Sequence, residues 1–109
     1  MGSQNVVNID SDSALRAAVE AAPALLLDVW APWCGPCRLM APVMEEMADR
    51  YGERLVVAKF KALDDDPTVE RLEVKGLPTL ILYIKAEEVA RHEGVLTRQQ
   101  MQIMVDSWL

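Results

Sequence analysis

Cys34 and Cys37, three positions apart, are the only cysteines in the chain. They close the stretch Leu25-Leu26-Leu27-Asp28-Val29-Trp30-Ala31-Pro32-Trp33-Cys34-Gly35-Pro36-Cys37, where an apolar run short enough for a buried strand gives way to two thiols separated by Gly-Pro. A helical pattern begins straight after them. A thiol at a helix N-terminus is favoured as its anion, because unsatisfied N–H groups and the positive end of the helix dipole face it. Two thiols one turn apart can carry out thiol–disulfide exchange, in which one attacks a disulfide and the second resolves the mixed disulfide. Cys34, at the helix start and expected to be the better exposed, is the candidate nucleophile. Cys37, one turn further in, is the candidate resolving thiol. Gly35 permits the turn between them, and Pro36 stiffens it without losing a needed N–H.

The exchange also needs a group that takes up and returns the second proton. Asp28 is the candidate, since a carboxyl within Leu25–Trp30 is surrounded by apolar positions and desolvation raises its pKa. The alternative reading of Asp28 is a strand-end aspartate bonded to nearby backbone. The alternative reading of the cysteine pair is half of a zinc site, but zinc asks for four ligands and the chain offers no further cysteine and one remote histidine, His92. A structural staple is the weakest reading, because so short a loop constrains the unfolded chain little.

These groups have to be positioned by the elements around them. Val6–Ile9 reads as a strand. Asp10-Ser11-Asp12-Ser13 offers N-caps to a helix whose apolar face is Leu15, Ala18, Val19 and Ala22, closed by Pro23. Ala24 to Trp30, apolar on both faces except at Asp28, reads as a central strand covered on both sides. Met40, Val43, Met44, Met47, Ala48 and Tyr51 mark a long amphipathic helix ended by Gly52 and kinked by Pro42. Leu55 to Phe60 is the next strand. Asp64-Asp65-Asp66-Pro67 is a cap with proline at the first helical position of a short helix through Val69 and Leu72. Thr79 to Ile84 and the weaker Glu88 to His92 form a last pair of strands, joined without the Asn-Gly or Asp-Gly of a tight hairpin. Thr97 with Gln100 makes a capping box before a helix with Met101, Met104, Val105 and Trp108 on its apolar stripe. The order β-α-β-α-β-α-β-β-α implies an α/β fold: a mixed sheet, parallel in its first half and antiparallel at its end, with helices on both faces.

The 109 residues read as one domain with an ordinary globular balance, 51% hydrophobic and 26% charged. A net charge of -6 argues against a nucleic-acid partner. The longest apolar runs are too short to span a membrane. Met1-Gly2-Ser3-Gln4-Asn5 lacks the pattern of a secretory signal, with Gly2-Ser3 reading as a cloning remnant, and the expected location is the cytoplasm.

Trp33-Cys34-Gly35-Pro36-Cys37, with Asp28, Trp30, Lys59 and Gly76-Leu77-Pro78-Thr79, resembles the thioredoxin family over nearly the whole chain. The resemblance implies the thioredoxin fold and a protein-disulfide reductase in which Asp28 assists Cys37 and Lys59 lies near Asp28. It also implies a cis peptide before Pro78, with Leu77 backbone groups pairing with an extended substrate. Trp33, Gly35, Pro36, Gly76 and Gly94 then complete the docking surface, and Trp30 packs in the core. No cofactor is expected on the chain, since a thioredoxin reductase using flavin and NADPH would regenerate it, and the protein is expected to act on protein disulfides as a monomer. Two departures stand out: the connection from Phe60 to Pro67 is one residue longer than usual, and the Lys85-Ala86-Glu87-Glu88 turn lacks the family's glycine. Two rivals remain. One is an oxidase or isomerase on the same fold, disfavoured because Gly35-Pro36 offers no polar group to hold a stabilised thiolate. The other is a non-catalytic binding subunit, which would not require the cysteine pair beside Asp28 and Pro78.

Overall fold

The computed structural model describes residues 5–64 and 66–109; residues 1–4, with the Gly2-Ser3 pair, and Asp65 of the anticipated cap lie outside the described residues. Strands β1 (Val6–Ile9), β2 (Ala24–Trp30), β3 (Val56–Lys61), β4 (Thr79–Ile84) and β5 (Glu87–Glu93) form one sheet in the order β1-β3-β2-β4-β5. β1, β3 and β2 run parallel, and β4 is antiparallel to both β2 and β5. Helices α1 (Asp12–Ala21), α2 (Met40–Tyr51), α3 (Pro67–Arg71) and α4 (Arg98–Asp106) alternate with them as the hydrophobic pattern predicts.

The sheet is covered on both faces, and the alternation of β2 shows how. Leu25, Leu27 and Val29 pack with Leu15 of α1, Phe60, Leu72 and Ile81 in one buried cluster. Leu26 points the other way, into a second cluster with Met40, Met44 and Met47 of α2 and Met101 and Val105 of α4. The period of two along a strand therefore puts Asp28 and Trp30 on the α2 side.

Local chemistry fixes the element ends. The Ser11 side chain accepts from the Ala14 N–H at 3.2 Å, and that of Asp66 accepts from the Thr68 N–H at 2.9 Å. Thr97 and Gln100 form the reciprocal capping box, with the Gln100 N–H donating to Thr97 Oγ1 at 3.1 Å and the Thr97 N–H to Gln100 Oε1 at 3.0 Å. Gly52 ends α2 at φ +54°, a conformation that disfavours side chains.

Three expectations change. The helix after the cysteines is not continuous: a 3-10 helix spans Pro36–Leu39 and α2 starts at Met40. Pro42 has no N–H for the Arg38 carbonyl, so the turn before it tightens, and the anticipated kink takes the form of a change in helix type. The β4–β5 connection is a two-residue hairpin after all, with Lys85 and Ala86 both at positive φ, 52° and 67°, as in a type I′ turn. Trp108 leaves the apolar stripe, because α4 ends at Asp106 and the indole is half exposed.

The turn makes a prediction. Ala86→Gly combined with Lys85→Asn should raise stability by about 1 kcal/mol, since neither wild-type residue favours the left-handed region. A urea midpoint that stayed put or fell would contradict this account of the turn.

Candidate active site

β2 delivers the chain to the site. After Trp30 the backbone turns, the Cys34 N–H donating to the Ala31 carbonyl at 3.1 Å and the Arg38 N–H to the Gly35 carbonyl at 3.1 Å. Cys34 and Cys37 are joined as a disulfide across this turn, with Cα atoms 5.4 Å apart. The Cys37 N–H donates to Cys34 Sγ at 3.3 Å. A donor at the helix start is thus already aimed at Cys34 Sγ, an arrangement that favours a thiolate on that sulfur.

The expected contrast in exposure between the two cysteines is nearly absent, 6% for Cys34 against 4% for Cys37. The bond ties Cys34 back onto Cys37, and Ala31, Trp30 and Leu77 pack around both. Gly35 differs as well. Its φ and ψ of -58° and -51° are ordinary helical values, and a Cβ there would meet nothing within 4 Å, so the turn does not require glycine. Pro36 opens the 3-10 helix, where its missing N–H costs nothing.

On the α2 side of β2, Asp28 is fully buried, and neither carboxyl oxygen has a hydrogen-bond partner among the described residues. Burial pushes its pKa up to about 7, against the opposing pull of Lys59. The strand-end aspartate bonded to backbone is therefore not what folds. Lys59 stands beside Asp28 in the β2–β3 register, half-buried, with Nζ 4.5 Å from the centre of the Trp30 ring. Trp30 thus packs against both the disulfide and Lys59.

The loop before β4 packs against the disulfide through Leu77. The Leu77–Pro78 peptide is cis. The buried Thr79 hydroxyl donates to the Gly76 carbonyl at 2.6 Å, and the Gly94 N–H donates to the Pro78 carbonyl at 2.7 Å, so the loop is pinned at both ends. Among the described residues, the Leu77 N–H and C=O enter no hydrogen bond. Such a free backbone edge can add an extended peptide. Trp33, which is 71% exposed, lines an open groove of about 450 Å³ with Leu63, Val74, Gly76 and Leu77. Gly35 and Pro36 are exposed on the turn without lining that groove.

Several groove residues, Leu63 and Val74 among them, and Glu93 beside Gly76 escape the sequence reading. Leu63, 63% exposed, lies in a charged loop where an apolar residue was the available signal. Glu93 folds its side chain over Gly76, so that a Cβ built on Gly76 would lie 2.7 Å from Glu93 Oε2. Its position directly before Gly94 was the only hint. Among the described residues no three His, Cys, Asp or Glu side chains gather as they would around a metal ion.

A dithiol pair at a helix start, an unpartnered buried carboxyl under the same sheet face and a cis-proline loop against the sulfurs define a thiol–disulfide oxidoreductase. The thioredoxin family model matches residues 6–107, and the chain belongs to that family. It is 36% identical over 107 residues to the thioredoxin of Acidithiobacillus ferridurans, covering 98% of this chain and 99% of that one. With the thioredoxin of Allochromatium vinosum it shares 34% over 105 residues, covering 96% and 98%. Among solved structures, a mutant thioredoxin from Halobacterium salinarum NRC-1 superposes with a TM-score of 0.85 at 26% identity, over 95% of this chain and 90% of that one. The oxidised thioredoxin of Plasmodium falciparum, at 22% identity, shares the fold with a TM-score of 0.84 over 94% and 97%. The activity is dithiol–disulfide exchange, and the enzyme is a protein-disulfide reductase. Family membership brings protein substrates and a thioredoxin reductase as partners, and no bound cofactor. No helix among the described residues is long and apolar enough to cross a membrane.

Proposed function

We propose that the chain reduces protein disulfides with Cys34 as nucleophile, Cys37 as resolving thiol and Asp28 as the proton acceptor for Cys37. The Cys34 thiolate attacks one sulfur of the substrate disulfide, forming a mixed disulfide and expelling the other sulfur as a thiolate. Cys37 then gives its proton to Asp28 and attacks Cys34 Sγ, forming the Cys34–Cys37 bond and releasing the second substrate thiolate. Two electrons pass to the substrate. NADPH, acting through the flavin of a thioredoxin reductase, returns them, and the protein works as a monomer in the cytoplasm.

Docking is assigned to the surface around Cys34. Trp33 and Gly76 form its apolar floor, the Leu77 backbone pairs with the substrate strand, and Gly35, Pro36, Pro78 and Gly94 shape its edges. Lys59 opposes the burial effect on Asp28, keeping that carboxyl within reach of neutral pH.

The observation that supports reduction over oxidation is what faces Cys34 Sγ. Among the described residues its only hydrogen-bond donor is the Cys37 N–H, and Gly35-Pro36 brings no polar side chain to it. Strong oxidants of this chemistry rely on a stabilised reduced form. Equilibrating the pair against defined thiol–disulfide buffers should give a reduction potential near about -270 mV, the range of reducing thioredoxins. A value above about -180 mV would instead assign the protein to disulfide formation or isomerisation.

A further inference from the structure

We propose that Glu93 selects substrates that carry an Arg or Lys close to the reacting cysteine. This rests on the docking assignment for Gly76, Leu77 and Pro78 above.

Glu93 ends β5 opposite Thr79, directly before Gly94, whose N–H holds the Pro78 carbonyl. From there its carboxylate reaches across to Gly76, occupying the space that any side chain at position 76 would fill. The missing Cβ of Gly76 therefore brings a carboxylate to the backbone edge where the substrate strand is to lie. Glu93 is exposed and belongs to none of the ion pairs among the described residues, which join Asp12 to Arg16 and Arg71, Glu88 to Arg91, and Glu46 to Arg98.

The surroundings carry the same sign. Asp64 lines the groove beside Leu63, and Glu70 and Glu73 flank its outer side next to Lys75, the one cation among these lining residues. A peptide entering the groove meets more carboxylates than ammonium groups, and Glu93 adds one against Gly76, the residue before Leu77. A basic side chain on that peptide gains a partner there, whereas an acidic one is repelled. The effect is local, because charges farther apart than about 8–10 Å are screened at ordinary salt.

The test uses synthetic peptides joined by one disulfide, with Arg, Ala or Glu placed in turn at positions flanking the reacting cysteine. The readout is kcat/KM for each peptide at low and high salt. At the favoured position the wild-type protein should reduce the Arg peptide about fivefold faster than the Glu peptide at low salt, as one partly screened ion pair allows. The ratio should shrink towards one in about 1 M salt and in Glu93→Gln, and reverse in Glu93→Lys. Gly76→Ala gives an independent check, since its methyl group displaces the flexible end of Glu93 and should also lower the ratio. An Arg-to-Glu ratio left intact by Glu93→Gln, or no preference in the wild-type protein, overturns the proposal. Failure of the wild-type protein to reduce even the Ala peptide would overturn the docking assignment itself, and the proposal with it.

Discussion

Cys37→Ser should stop the protein at the mixed disulfide, whereas Cys34→Ser should form no covalent adduct and lose turnover by about 10³-fold or more. The asymmetry follows from what each sulfur faces. Cys34 Sγ receives the Cys37 N–H at the helix start, so its thiolate is held by a donor that exists before any substrate arrives. With Cys37 gone, Cys34 still attacks, but nothing nearby expels the product. Resolution then falls to thiols from solution, which lack the advantage of a partner fixed three residues away. Cys34→Ser removes the only sulfur with that donor, and a hydroxyl at this position has no comparable acidity. Mass spectrometry of each variant incubated with a disulfide-containing protein reads the outcome directly. Adducts on Cys34→Ser and none on Cys37→Ser would exchange the two roles.

How much of this was visible in the sequence depends on whether a feature is local. The both-faces apolar run of β2, the Thr97–Gln100 capping box, the Gly52 stop and the thiol spacing are local patterns, and each folds where it reads. The tight Lys85-Ala86 turn was not legible, because neither residue carries the signature of left-handed backbone. Pairing of β4 with β5 imposes that conformation despite the residues' own preference. Gly35 was over-read for the opposite reason: glycine permits unusual dihedrals but does not demonstrate them. The position of Glu93 over Gly76 joins residues 17 apart, read across the β4–β5 ladder, and nothing along the chain marks such a contact. The lack of any partner for Asp28 is likewise tertiary. Sequence predicts that the carboxyl is buried, while only the fold shows that no donor among the described residues meets it.

That lack of a partner leads to the second large effect. Asp28→Asn should make the protein more stable at pH 8 and, at the same time, a poorer enzyme. The Asp28 carboxyl ionises near 3.8 in the unfolded chain and near about 7 in the folded one, because burial disfavours its charge more than Lys59 restores it. Between those values the native state holds a proton that the unfolded state has released. Stability is therefore fully present below about pH 4 and falls as pH rises, until it levels off above about pH 7. A shift of this size corresponds to about 4 kcal/mol at full ionisation. Asparagine resembles the protonated acid in shape and charge, so Asp28→Asn should abolish the fall and be about 4 kcal/mol more stable at pH 8. Denaturant titrations at pH 5 and pH 8 measure this, with the wild type and the variant drawing together at the lower pH. The same substitution removes the base proposed for Cys37, and resolution of the mixed disulfide at pH 7 should slow by about 10²-fold. Lys59→Met should act in the reverse sense on the titration, lifting the Asp28 pKa further, so that the loss still begins near about pH 4 but continues to higher pH and becomes larger. An Asp28→Asn protein with the wild-type pH dependence of stability would mean that Asp28 is charged and satisfied in the folded state. A gain in stability without slower resolution would leave the carboxyl buried but take it out of the proton path. The paired outcome is what a catalytic group maintained at the expense of the fold produces, and it separates the two possibilities in one variant.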